Sequence, residues 1–287
     1  MVGGPGRPRA DYDTDAVQTP QIGSNDHAPV VHGLIGSPVV LVAGGLDPGG
    51  GSGILRDALT ARARGARPFV VGTAWTQQGP GVHRVEARSP EAILAAVRQG
   101  LAAGAEAVKV GMVPNAAAAA ALLEGLEGFT GPVVVDPVLA SSRGGGLWSG
   151  TTEELLPLLR RATLVTPNAH EVTVLTGLVV QDPEGAARAG TTLIERGVRA
   201  VLVKGGHLGV APEPVTDTLV EAGGIHRLEH SRVSGGDVRG TGCALATAVA
   251  VALARGAGLG AAVAEATTWL AGAIAAAVSV GGERHLP

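Results

Sequence analysis

Six short apolar runs limit what this chain can fold into. Residues 39–43, 69–73, 107–111, 133–135, 164–165 and 200–203 are brief and mostly rich in β-branched side chains. Each runs into a glycine-rich or polar tip, and all but the last then lead into a longer helix-forming stretch. An unbroken apolar run of that length reads as a strand buried on both faces. Strands that alternate with helices are joined by crossovers into a parallel sheet. The pattern predicts one α/β domain, a central mostly parallel sheet with helices on both faces. Aromatic residues are only 2% of the chain, so alanine, valine and leucine must fill the core.

The helices announce themselves by their ends. Ser89-Pro90-Glu91 is a cap, a first-turn proline and a first-turn acid, opening a helix to about Ala103. Thr151 and Glu154 have the spacing of a capping box. Further helices are expected at about 54–64, 115–128 and 182–197, with two alanine-rich helices from 243 to the end. Residues 218–221 and 225–229, joined across Ala222-Gly223-Gly224, read as a β-hairpin.

Several function classes drop out. A net charge of −3 with no basic run argues against nucleic acid as a partner. A lone cysteine makes no internal disulfide, which fits a reducing cytoplasm. The eight histidines show no metal-ligand spacing. The apolar run 270–280 is short for a membrane span and reads as a buried alanine-rich helix; no signal-peptide core is seen at the start. Residues 1–37 are read as a flexible N-terminal tail, which leaves 38–287 as a single domain.

In parallel α/β sheets the ligand lies beyond the carboxyl ends of the strands, so the tips hold the chemistry. The first tip, 44–53, carries Gly45 and Asp47 in a glycine-rich loop with neither dinucleotide nor P-loop spacing. The second carries Trp75 and Gln77, and a glutamine there is a ring-edge reader or an ordinary turn residue. Met112 follows the third, and Asp136 ends the fourth as a metal- or phosphate-site acid or a loop cap. Asn168 and Glu171, three apart, suit a hydrated Mg²⁺ or form a helix cap with its reciprocal glutamate. Lys204 with Gly206 ends the sixth, where a lysine can meet a nucleotide phosphate. Gly240-Thr241-Gly242-Cys243 then opens a strongly apolar helix. Free N–H groups and the helix dipole make that turn an anion site, and the same field predicts a lowered thiol pKa for Cys243. The plainer reading is a capping turn with a small buried cysteine.

In order and spacing these segments resemble the ribokinase-like superfamily. Within it they are most similar to the hydroxymethylpyrimidine and phosphomethylpyrimidine kinases of thiamine biosynthesis. The resemblance covers roughly residues 38–285. It is carried by Gly44-Gly45-Leu46-Asp47-Pro48-Gly49-Gly50-Gly51-Ser52-Gly53-Ile54, Val108-Lys109-Val110-Gly111-Met112, Val135-Asp136-Pro137-Val138, Thr166-Pro167-Asn168-Ala169-His170-Glu171, Val203-Lys204-Gly205-Gly206-His207 and Gly240-Thr241-Gly242-Cys243. Cysteine after Gly-Thr-Gly, where most of the superfamily has aspartate, marks the pyrimidine kinases.

The resemblance implies a homodimer with ATP and Mg²⁺ as cofactors and a pyrimidine alcohol, then its monophosphate, as substrates. It implies that Gly240, Thr241 and Gly242 hold the transferring phosphoryl group beside Cys243. Asp136 and Glu171 would organise Mg²⁺, with Asn168 nearby. Lys204 and Gly206 would meet ATP, and Gly45, Gln77 and Met112 would line the pyrimidine pocket, with Asp47 and Trp75 beside them. Three residues depart from the usual pattern: Leu46 for Ser or Thr, Trp75 for a small aliphatic residue, and Arg239 before Gly240 for a smaller polar residue or His. These departures leave open a pyridoxal-type substrate or a non-catalytic relative.

Overall fold

The computed structural model describes residue 1 and residues 36–287, apart from 80–81, 142–144, 207, 209–213 and 234–236. Positions 2–35 of the expected tail, and His207, lie outside the described residues.

A strand and a helix open the fold: β1 (Val39–Leu46) and α1 (Gly53–Ala63). A ribbon follows, β2 (Arg67–Gly79) and β3 (Val82–Ala87). Then come α2 (Pro90–Ala102), β4 (Ala105–Val110), α3 (Ala116–Gly125) and β5 (Val133–Val135). Next are α4 (Thr152–Arg161), β6 (Leu164–Val165), α5 (Ala169–Thr176), α6 (Pro183–Glu195) and β7 (Ala200–Val203). A hairpin, β8 (Val215–Glu221) and β9 (Gly224–His230), leads to β10 (Val238–Arg239), α7 (Thr241–Ala254) and α8 (Leu259–Ala275). The last elements are β11 (Val278–Val280) and β12 (Glu283–His285).

Among the described residues the main sheet has the order β3-β2-β1-β4-β5-β6-β7-β8-β9. From β2 to β7 every pairing is parallel; β3 and β8 run against their neighbours and β9 against β8. The expected architecture is therefore the one found. The pleat of β1 shows why its run has to be apolar throughout. Val39, Leu41 and Ala43 join the core under α2–α6, while Val40 and Val42 join the core under α1, α7 and α8. Each such fully buried Val or Leu contributes roughly 1.5–3 kcal/mol. Helix α7 is apolar all round because it is sandwiched: Ala244 through Ala252 are all buried.

The caps read from sequence are present. Ser89 accepts from the Ala92 N–H (3.3 Å), and Thr151 and Glu154 close a capping box.

Two segments differ from the sequence reading. Strand β2 runs to Gly79 rather than stopping at 73, and returns as β3. Its outer half alternates between buried and exposed residues, as a one-sided antiparallel ribbon does, so a search for wholly buried runs misses it. The run 270–280 is not one buried helix. α8 ends at Ala275, and Val278–Val280 is an exposed strand turning back through Gly281-Gly282 into β12. Both turn glycines have positive φ (59° and 84°), which a two-residue hairpin turn requires. β10, β12 and β11 form a small second sheet. Among the described residues no helix is long and apolar enough to cross a membrane.

Candidate active site

The tips of β1, β4, β5 and β7 and the start of α7 meet at one edge of the main sheet. Gly240 is the N-cap of α7 in a left-handed conformation (φ 79°). A side chain there would run into the Gly51 carbonyl and Arg56 Cγ, so only glycine lets the two loops touch. The first helical bond runs from the Ala244 N–H to the Gly240 carbonyl (2.9 Å). The N–H groups of Thr241, Gly242 and Cys243 therefore lack a carbonyl of the helix to bond to, and the helix dipole adds positive potential. No acid sits in that first turn to compete for them.

Lys204 lies directly against this turn. Its Nζ is 2.7 Å from Asp136 Oδ1 and 3.9 Å from Glu171 Oε2. A Cβ on Gly242 would come within 3.1 Å of that Nζ and 3.7 Å of Asp136 Oδ2. The missing side chain thus lets a helix N-terminus, an ammonium and two carboxylates share one small volume. Asp136, at the end of β5, also accepts from Thr166 Oγ1 (3.1 Å). Burial raises the Asp136 carboxyl, but Lys204 and Lys109 outweigh it and hold it below the ordinary carboxylate range. Burial also lowers Lys204, which Asp136 and Glu171 more than reverse, leaving a firmly charged ammonium. Glu171 is pushed up to about 7, chiefly by burial, with Lys204 opposing.

Asn168 and Glu171 do form the reciprocal cap. The Glu171 N–H donates to Asn168 Oδ1 (2.9 Å) and the Asn168 N–H to Glu171 Oε2 (2.8 Å). Asn168 Oδ1 is thus engaged in capping α5, while Glu171 is held by the cap and still faces Lys204. Gly206 has open space on its Cα, and its carbonyl accepts from Arg232 (2.8 Å), a residue the sequence reading passed over.

Cys243 departs from expectation. Its thiol is pushed up to about 11 rather than lowered, because burial outweighs Lys109, and the carboxylates of Asp57 and Asp136 add to the rise. The Gly53 N–H bonds to it but does not reverse the sign.

On the other side, Gly45 and Met112 are brought together. A Cβ on Gly45 would be 2.9 Å from Met112 Sδ and 3.4 Å from Thr76 Cγ2. Ala74 and Leu147 pack with Met112 into a small apolar cluster. Trp75 and Gln77 do not join it. Both are exposed, Trp75 at 57%, and both lie on the face of β2 opposite to Ala74 and Thr76. Asp47 is also not free for a ligand. Its carboxylate accepts from the Gly49 N–H (3.1 Å), Ser52 Oγ (2.8 Å) and Arg239 (3.0 Å). It folds the glycine loop.

A helix start with no acid in its first turn, a lysine and two carboxylates at the tips of a parallel α/β sheet are the layout of a small-molecule kinase of ribokinase-like architecture. The pyridoxal kinase of Staphylococcus aureus, solved with ADP, superposes with a TM-score of 0.79 at 26% identity, covering 87% of this chain and 93% of that one. A phosphomethylpyrimidine kinase of Clostridium difficile superposes at 0.68 with 29% identity, covering 83% and 99%. A hydroxymethylpyrimidine/phosphomethylpyrimidine kinase of Streptomyces coelicolor is 38% identical over 250 residues, 85% of this chain and 91% of that protein. The family model described as phosphomethylpyrimidine kinase matches residues 47–287. The chain belongs to the phosphomethylpyrimidine kinase family, and it is a phosphotransferase.

Proposed function

We propose that this protein transfers the γ-phosphoryl group of ATP to 4-amino-5-hydroxymethyl-2-methylpyrimidine, and then a second one to the resulting monophosphate, in thiamine biosynthesis. The observation that carries the reading is the convergence on Gly242: Lys204 Nζ 3.1 Å and Asp136 Oδ2 3.7 Å from the place a side chain would take, at the head of α7. Phosphoryl transfer asks for positioning and charge neutralisation more than covalent chemistry. In this reading the N–H groups of Thr241, Gly242 and Cys243 hold the moving phosphoryl group, and Lys204 neutralises nucleotide phosphate oxygens. Gly206 lies against the nucleotide, while Gly45 and Met112 form the ring pocket.

Asp136 and Glu171 fit a Mg²⁺ ion. They are hard oxygen donors that already face one shared cation, and among the described residues no third metal-ligating side chain joins them. An ion held by two carboxylates would keep most of its waters and would neutralise charge on the phosphates. Cys243, with its thiol far from ionisation, would shape the acceptor side rather than serve as an anionic base. The reading also includes one kinase domain over residues 38–287, a homodimer and a cytoplasmic location.

A second reading has a specific observation behind it: pyridoxal kinases superpose on this chain more closely than the C. difficile pyrimidine kinase does. The same test separates the two. ATP consumption with Mg²⁺ is measured on the pyrimidine alcohol, its monophosphate and pyridoxal in parallel. Turnover of both pyrimidines is expected. Turnover of pyridoxal alone would move the substrate, and ATP binding without any turnover would make this a binding protein.

A further inference from the structure

Two arginines flank the anion turn, and both are tied to the same distant segment. Arg239, immediately before Gly240, donates from one nitrogen to Asp47 Oδ2 (3.0 Å) and from the other to Glu283 Oε2 (3.1 Å). Its side chain is 11% exposed. Arg56, on α1, packs its Cγ against Gly240 and donates to the carbonyls of Leu286 (2.8 Å) and Pro287 (2.9 Å). The backbone adds a third tie, since β10 pairs with β12 through Val238↔Arg284 and Arg239↔His285. Between these ties lies the glycine loop. A Cβ on Gly51 would meet the His285 ring at 2.8 Å and Arg239 Nε at 3.3 Å.

From this we infer that Arg239 is a positioning residue for phosphoryl transfer. It clamps the glycine loop at Asp47 and the hairpin at Glu283, and so fixes the turn whose N–H groups meet the phosphoryl group. The turn and the glycine loop touch backbone to backbone, so a shift of either moves the other. Asp47 is 4% exposed and has Arg239 as its ionic partner among the described residues. Without that partner the buried carboxylate keeps the Gly49 N–H and the Ser52 hydroxyl but has no counter-ion, which favours local opening of the loop to solvate it. Donors aimed at a transition state lose on the order of 10²-fold in rate when displaced by about 1 Å. The inference rests on the kinase reading for the meaning of the turn, not for the existence of the clamp.

The full chain is compared with Arg239→Met, Arg239→Lys and Glu283→Gln. The measurements are kcat, KM for ATP, thermal midpoint and hydrogen exchange in the segment 47–55. Arg239→Met is expected to lower kcat on the order of 10²-fold, with KM for ATP within about twofold. Its thermal midpoint should stay near the parent's while the glycine loop exchanges faster. Arg239→Lys should recover part of kcat, and Glu283→Gln should lose less than Arg239→Met. Unchanged kcat and unchanged loop exchange in Arg239→Met would overturn the inference. So would a kcat loss that merely follows a falling folded fraction, with no recovery by lysine. If the parent protein turns over no substrate the kinase reading falls, and loop exchange in Arg239→Met still decides the clamp.

Discussion

Lys109 and Lys204 both end beside an aspartate in the same fold, and their surroundings differ in a way that explains their use. Lys109, on β4, and Asp57, on α1, are both fully buried. Lys109 Nζ donates to both carboxylate oxygens (2.9 and 2.8 Å), and Thr247 of α7 donates a third bond to Asp57 (2.9 Å). Burial lowers the ammonium, Asp57 more than offsets it, and the lysine is held charged. Three elements are pinned together by a cluster with no opening to solvent. Lys204 and Asp136 have a similar contact, 2.7 Å, but Lys204 keeps 14% of its side chain exposed and a second carboxylate, Glu171, faces it. That pair borders the N–H groups that open α7. The closed pair holds structure and reaches the site through its field alone, as on Asp136, whereas in the proposed reading the open one, with a spare carboxylate, exchanges partners with an incoming phosphate or metal ion.

The largest effect should come from breaking the closed pair. Asp57→Asn or Lys109→Met leaves its partner charged and sealed, a cost of about 3–5 kcal/mol in unfolding free energy. Denaturant titration of each variant measures it. Replacing both residues together with apolar ones of similar volume should return much of the loss, because desolvation of two charges is removed along with their attraction. A cost below about 1 kcal/mol for either single change, the range of a surface pair, would mean the cluster is not the pin described here and would end the contrast.

Breaking the open pair should move rate rather than stability. Lys204→Met removes the cation beside Gly242, and kcat should fall about 10²–10³-fold, the loss seen when one preorganised charge-stabilising donor is taken from a transition state. Its unfolding free energy should change by less than in the Asp57 variant, since Glu171 can take up a proton and water can reach the site from the α7 side. Steady-state kinetics and denaturant titration on the same preparation decide it. Equal destabilisation in both variants would show that the two pairs do one job.

The same contrast explains how much of the molecule was legible in the sequence. The strands were plain where both faces are buried, as in 39–43 and 200–203, because sequence then has one available character. They were hidden where a strand is half-buried or exposed: the outer half of β2 and the hairpin 278–285. The open side of the site was legible because its residues sit in short motifs at strand tips: Asp136, Asn168, Glu171, Lys204 and Gly240–Cys243. The pocket side was read less well. Trp75 and Gln77 looked like wall residues, but a strand alternates faces, and without the register of β2 on β1 the inward set cannot be told from the outward one. Asp47 looked available, and tertiary partners 192 residues away claim it. Lys109 stands inside one of the short motifs, but nothing local marks Asp57 as its partner, since the two meet only once α1 is folded onto the sheet. The sign of the Cys243 shift failed for the same reason. A helix start is visible in sequence, and the burial that outweighs its dipole is not.

A third aspartate extends the comparison to a cation that can lose its charge near neutral pH. Asp217 accepts from the Gly205 N–H (2.7 Å), next to Lys204, and its other oxygen lies 3.5 Å from His230 Nε2. The interaction with Asp217 raises His230 above its ordinary value, against partial burial and the nearby charge of Arg232. A folded-state pKa above the unfolded one, about 6.5, means the pair's contribution is complete below that pH. It is lost as pH rises through the folded-state value. His230→Asn should therefore lower the thermal midpoint at about pH 5 and match the parent at about pH 9, with the parent's own midpoint falling between them. The effect should be the smallest of the three, because the imidazole is partly exposed and water screens the pair. A gap between parent and variant that stays constant across that range would assign His230 a packing role only.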